Sequence, residues 1–126
     1  FERLVDDAGA AEQQDQADRL GLPVRTRVVD LEVGDVDLGD AGYDIIVVTR
    51  YLHRPLVPHL QLSLAPGGVL LYETFLERQA ESGHPKNPDF LLKPGELLEL
   101  VKPLEVLRQF EGEFDGSWVA AVAARR

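Results

Sequence analysis

Apolar and polar positions alternate along this chain in a way that divides it into helical and extended pieces. Phe1, Leu4, Val5 and Ala8 fall at i, i+3, i+4 and i+7, the spacing that lines one face of a helix. The chain is therefore expected to begin inside a helix that becomes polar after Gly9 and stops at Gly21-Leu22-Pro23, a glycine exit followed by a helix breaker. Val24, Thr26 and Val28 then alternate with Arg25 and Arg27, which predicts a strand. Gly34 to Gly42 is acidic and turn-rich. Tyr43-Asp44-Ile45-Ile46-Val47-Val48-Thr49 follows as a nearly unbroken β-branched run, suited to a parallel strand covered on both faces.

Arg54 to Leu64 predicts a short helix with Pro55 near its first position. Ala65-Pro66-Gly67-Gly68 reads as a turn, and Val69 to Phe75 as a second buried strand. Leu76 to Leu92 carries Gly83, His84-Pro85 and Asn87-Pro88 and is expected to be a long loop. Pro94 to Val101 has helical spacing. Leu104–Phe110 and Trp118–Ala124 read as two strands of a terminal hairpin turning near Asp115-Gly116. Strands separated by helices imply parallel βαβ units, so the fold class expected is α/β: a doubly wound sheet with an antiparallel end. In such sheets ligands bind beyond the carboxyl ends of the strands. That rule points to Asp30, to Thr49–Arg54 and to Glu73–Phe75.

Composition narrows the choice. With 126 residues, 44% of them apolar, and no Cys, the chain can build a core without disulfides, and thiol chemistry and Cys-ligated zinc are excluded. Lys and Arg number 13 against 22 Asp and Glu, for a net charge of −9, which disfavours nucleic acid as a partner because phosphate binding needs clustered cations. The charge is uneven, −8 over residues 1–48 and −1 over residues 49–126, so an anionic substrate is expected to approach the second half. No apolar run nears the roughly 20 residues of a membrane span, and no signal-peptide layout is present; a cytoplasmic location is the expectation. The chain starts at Phe1 and contains no Met, so it reads as a stretch of a longer protein.

Thr49-Arg50-Tyr51-Leu52-His53-Arg54 is the richest candidate site, because polar groups and an imidazole follow the strongest strand. Asp30 is equally readable as a turn residue. Glu73 could serve as a base if burial raised its pKa. His84, Lys86 and Asn87 could meet an anionic group from the loop. None of the 11 glycines forms GxGxxG or a P-loop, no GxSxG surrounds Ser63, Ser82 or Ser117, and His53, His59 and His84 make no helical metal pair. No metal is implied.

Val28-Val29-Asp30-Leu31-Glu32, the segment from Tyr43 to Pro55, and Leu64-Ala65-Pro66-Gly67-Gly68 with the strand to Phe75 together resemble the class I S-adenosylmethionine-dependent methyltransferases, in a branch similar to the tellurite-resistance methyltransferases. Pro88-Asp89-Phe90-Leu91-Leu92 and Pro94-Gly95-Glu96-Leu97 also look like the loop and helix before that fold's last hairpin. The resemblance covers residues 1–126 as the later part of one domain, a single partial methyltransferase domain. It implies a Rossmann-like sheet with a C-terminal antiparallel hairpin, S-adenosylmethionine as cofactor, and methyl transfer to a small nucleophilic acceptor. Asp30 and Leu31 would lie at the adenine, while Thr49, Arg50 and Tyr51 would line the methionine and methyl-transfer region. Many relatives have Asn where this chain has Arg50. His53 and Glu73 are candidates for a base, neither being assigned.

The family's glycine-rich first motif, its first strand and its ribose-binding acid are not identifiable in these residues. Leu4-Val5-Asp6 also reads as a strand ending in that acid, but the spacing of Phe1, Leu4, Val5 and Ala8 favours the helix that follows it. Loss of a central strand would expose two ladder edges, so either a longer protein supplies that strand or the chain folds marginally and self-associates through its sheet edges. Two alternatives stay open: a non-catalytic Rossmann-like fragment acting as a binding or interaction module, and a nicotinamide-dependent reductase, which fits the Ala-Pro-Gly-Gly turn and terminal hairpin less well.

Overall fold

A computed structural model describes residues 2–5, 10–23, 25–38 and 42–126. The chain divides into two compact units, residues 1–37 and residues 38–126.

The first unit opens with a strand, β1 (Glu2–Val5), followed by α1 (Ala10–Arg19) and β2 (Arg25–Val28). The helix expected from Phe1, Leu4, Val5 and Ala8 is thus corrected: Leu4 and Val5 are extended, while Phe1, Asp6 and Ala8 lie outside the described residues. Four apolar positions in eight residues satisfy either period. Parallel pairing with β2, from Glu2↔Arg25 to Val5↔Val28, satisfies the backbone and decides the matter. The glycine exit of α1 is as expected, with Gly21 at φ +67° and the Leu22 N–H donating to the Ala17 carbonyl at 3.0 Å. Val36 is buried, although its surroundings in the sequence read only as an acidic turn.

The second unit is a four-stranded sheet in the order β3-β4-β6-β5. β3 (Tyr43–Thr49) pairs in parallel with β4 (Leu64–Phe75), and the antiparallel hairpin β5 (Glu105–Phe114) and β6 (Ser117–Arg125) joins the far side of β4. Asp115 and Gly116 both take positive φ, +50° and +81°, the conformation a two-residue hairpin turn needs. Between β3 and β4 lie a 3₁₀ turn (Arg54–Leu56) and α2 (Val57–Ser63); Pro55 and Pro58 each occupy a first-turn position whose N–H has no helical acceptor.

Ala65-Pro66-Gly67-Gly68, expected as a turn before the strand, is instead part of β4. It bulges between the pairs Tyr43↔Leu64 and Ile45↔Val69. A side chain at Gly68 would put its Cβ 2.7 Å from the Tyr43 carbonyl oxygen and 2.9 Å from that of Ala65, so this close backbone approach requires glycine. The bulge is tied down by the last residue: Arg126 exchanges backbone hydrogen bonds with Gly67 and Gly68, and its guanidinium donates to the Leu64 carbonyl at 2.6 Å.

The expected long loop after β4 is also corrected. It contains α3 (Gln79–Ser82), a 3₁₀ turn (Pro88–Phe90) and a bridge from Leu76 to Leu92, and leads to α4 (Glu96–Leu100). Leu91 and Leu92 are buried. The buried Gln79 side chain accepts from the Trp118 N–H at 2.8 Å and donates to the His84 carbonyl at 3.3 Å, so the segment is held by hydrogen bonds its sequence does not advertise.

Paired residues share a face of the sheet. Leu70, Tyr72 and Thr74 of β4 lie with Ala124, Val122 and Ala120 of β6 on a buried row; α2 packs on β4, and α3 and α4 on β6. The opposite row is open. Ile45 is 61% and Val47 54% exposed, with Leu71 and Phe110 also exposed on that face. The expectation that Tyr43–Thr49 is covered on both faces therefore fails: the helices of this unit cover one face only. β3 is an edge strand, with no partner on the side away from β4 among the described residues.

Candidate functional site

The sequence-derived residues fall at strand ends in both units. In the first unit, Asp30 follows β2, and its Oδ1 accepts the Glu32 N–H at 3.0 Å, a local turn that fixes the carboxylate beside the chain. Asp30 is exposed and Leu31 half-buried. The turn role weighed for Asp30 is present, and its exposure leaves the carboxylate accessible.

In the second unit, β3 ends at the exposed Thr49. Arg50 then takes φ +52°, a left-handed conformation that costs a non-glycine residue of the order of 1 kcal/mol. It is held there by its N–H, which donates to the Glu73 carbonyl of β4 at 2.8 Å. The Arg50 guanidinium lies 5.7 Å from the centre of the Phe75 ring, a cation–π arrangement. The next carbonyl, of Tyr51, accepts the Tyr72 hydroxyl at 2.6 Å; burial pushes the Tyr72 phenol up, so it stays a neutral donor. The backbone of Thr49–Tyr51 is thus anchored on β4 by two hydrogen bonds.

Arg54 organises the far side of this turn. Its Nε donates to Glu96 Oε2 at 2.5 Å and its Nη2 to Glu96 Oε1 at 3.0 Å, the two-point fork that guanidinium and carboxylate geometry permit. Nη2 also donates to the Leu91 carbonyl at 2.9 Å and Nη1 to that of Asp89 at 3.2 Å. The hydrogen bond from Arg54 lowers the Glu96 pKa, against an opposing contribution from burial, and the same bond raises that of Arg54. Arg54 therefore ties the turn after β3 to the segment 89–96. Sequence reasoning placed Arg54 in the rich segment and Glu96 in a separate helix; nothing in the local pattern joins residues 42 positions apart.

Glu73 stands opposite Thr49 in the β3–β4 register. Of the loop residues suggested for an anionic group, Lys86 donates to the Ala80 carbonyl at 2.9 Å, and Asn87 Oδ1 accepts the Asp89 N–H at 3.0 Å as a cap. Both are engaged in local structure. No helix among the described residues is long and apolar enough to cross a membrane.

Chemically, the turn after β3 offers an exposed threonine and a guanidinium seated on a ring. Among the described residues that guanidinium makes no hydrogen bond or ion pair. A cofactor carrying an amino-acid end matches such a set, because a carboxylate is what a forked donor pairs with. A nucleoside end, with hydroxyl and amine donors, matches an accessible carboxylate such as Asp30.

No protein-family model matches the sequence, and no curated protein matches it. Solved structures do match. TehB from Haemophilus influenzae, a tellurite-resistance methyltransferase, superposes with a TM-score of 0.78 at 18% identity over 99% of this chain and 49% of its own. The [4+2]-cyclase SpnF superposes with a TM-score of 0.77 at 17% identity, over 99% of this chain and 65% of its own. Geranyl diphosphate C-methyltransferase from Streptomyces coelicolor A3(2), whose structure contains S-adenosyl-L-homocysteine, superposes with a TM-score of 0.72 at 18% identity, over 99% of this chain and 64% of its own. The fold is that of the Rossmann-like class I methyltransferases. The chain spans from about half to about two-thirds of these structures' lengths.

Proposed function

We propose that residues 1–126 act as one partial domain of an S-adenosylmethionine-dependent methyltransferase that acts in the cytoplasm on a small-molecule acceptor. The observation that carries the reading is the fold likeness to S-adenosylmethionine-dependent methyltransferases along nearly the whole chain. The anchored polar turn Thr49–Tyr51, directly past a parallel strand, supports it. A shared fold hosts unrelated chemistries, as the cyclase among the neighbours illustrates. The reading therefore leans on the residues at the strand ends as well.

When bound, S-adenosylmethionine supplies an electrophilic methyl group on a sulfonium. This chain's part is to bind and orient. Asp30 and Leu31 take the adenine, with Thr49, Arg50 and Tyr51 at the methionine and methyl-transfer region. The Arg50 guanidinium pairs with a carboxylate, and the strained, anchored backbone fixes its direction. Positioning the acceptor in line with the methyl group supplies rate through proximity, and neither His53 nor Glu73 is assigned as a base.

Calorimetric titration with S-adenosylhomocysteine tests the binding half, on this chain and on a longer protein carrying preceding residues. Saturable binding that Arg50→Ala weakens about tenfold, the worth of roughly one charged hydrogen bond, is the expected result. Absence of binding by both proteins would overturn the reading. Isotope-labelled methyl transfer by the longer protein over an acceptor panel tests the chemistry.

A second reading, a non-catalytic interaction module that self-associates through its sheet edge, is favoured by one feature. β5 is an edge marked by Glu105, Arg108, Glu111 and Glu113 and a register shift at Val106/Arg108, the devices that discourage pairing. β3 carries Ile45 to Val48 on an edge that is unpaired among the described residues, its one charge, Asp44, and its register shift at Tyr43/Ile45 both being confined to the start of the strand. Sedimentation velocity showing association together with no cofactor binding would put this reading first.

A further inference from the structure

Immediately beyond β4 there is an open cleft of about 550 Å³, within the size range of small-molecule sites. Leu76, Pro94 and Trp118 give it apolar surface, and Glu77, Glu81 and Glu111 place three carboxylates around it against the single cation of Arg78. The Arg78 guanidinium carbon sits 4.0 Å from the centre of the Trp118 ring, close to the ideal for a cation over an indole face. Its hold is otherwise slight: Nε is 3.8 Å from Glu81 Oε2, at the outer limit of an ion pair, and the side chain is 62% exposed. Glu111, by contrast, is fixed, accepting the Gly95 N–H at 2.7 Å.

An indole in a cleft lined by three acidic residues and one basic one is complementary to positive charge, and the structure shows its face already receiving a guanidinium. We propose that the cleft binds a cationic ligand, an alkylammonium or guanidinium compound, which displaces the Arg78 side chain from Trp118 and offsets the excess of carboxylates. Arg78 is then an internal competitor that swings aside. An anion drawn to Arg78 would face three carboxylates, which sets that alternative aside. Trp118 reports on the cleft directly because it is the only Trp in the chain.

The experiment is a tryptophan-emission titration of the full chain, at fixed ionic strength, with choline and with its uncharged isostere 3,3-dimethylbutan-1-ol. Choline is expected to change the emission saturably and the alcohol not. Arg78→Ala, which frees the ring, is expected to bind choline about three- to tenfold more tightly, the range a cation–π contact of ordinary strength spans. Arg78→Gln serves as a second variant of similar size, and Glu77→Gln with Glu81→Gln is expected to weaken binding severalfold. An equal response to the alcohol, no saturable response in either wild type or Arg78→Ala, or affinity unchanged or lower in both Arg78 variants would each overturn the proposal. The readout involves neither S-adenosylmethionine nor methyl transfer, so it stands or falls apart from the methyltransferase reading.

Discussion

Replacing Arg54 by Ala removes two hydrogen bonds to the Glu96 carboxylate and two to the main-chain carbonyls of Asp89 and Leu91. Hydrogen bonds to charged groups are worth about 1.5–3 kcal/mol when buried, but the Arg54 side chain is 36% and that of Glu96 21% exposed, and water screens the pair. The ion pair is accordingly assigned about 1 kcal/mol, and the two carbonyl contacts about 1 kcal/mol more. Arg54→Ala is expected to cost about 2 kcal/mol and Glu96→Gln, which keeps an acceptor in place, about half of that. Urea unfolding at pH 7 of the two single variants and the double variant measures the coupling, expected near 1 kcal/mol. The pH dependence supplies a second check. Glu96 has its pKa lowered in the folded state from 4.5, so its contribution is fully present above about pH 4.5 and is lost as pH falls through the lower folded value. Wild type should therefore lose stability on acidification more steeply than Glu96→Gln. A cost below about 0.5 kcal/mol for Arg54→Ala, with no difference in acid slope, would refute the clamp.

Three further outcomes are expected. Gly68→Ala should destabilise by more than about 2 kcal/mol in the same assay, because its Cβ would meet backbone oxygens that cannot move aside; an unchanged midpoint would show that the bulge relaxes. Tyr72→Phe leaves the Tyr51 carbonyl without its 2.6 Å donor and should cost about 1 kcal/mol, read as a lowered melting temperature and as faster hydrogen exchange at the Arg50 amide. Val47→Lys, which puts an exposed charge on the edge strand β3, should leave folding stability within about 0.5 kcal/mol while raising the monomer fraction in sedimentation velocity; unaltered association would remove this edge from the interaction reading.

β3, the core of β4 and the final hairpin were legible in adjacent residues: the β-branched run Tyr43–Thr49, the run after Gly68, and Asp115-Gly116, which take the paired positive φ values of a tight turn. The sequence also placed polar groups past β3. Tertiary structure decided the rest. Glu2–Val5 became a strand because β2 was there to pair with it, although its local spacing suited a helix. Ala65–Gly68 became a bulge because the Tyr43 carbonyl passes within reach. The segment 76–92 became ordered through Gln79 and Arg54, and Trp118 met Arg78, all across long stretches of chain. Periodicity records which face a residue turns inward and says nothing of which distant residue will be waiting there. The exposure of Ile45 and Val47 makes the same point from the other side: their sequence calls for cover, and whether cover arrives depends on what packs against the sheet.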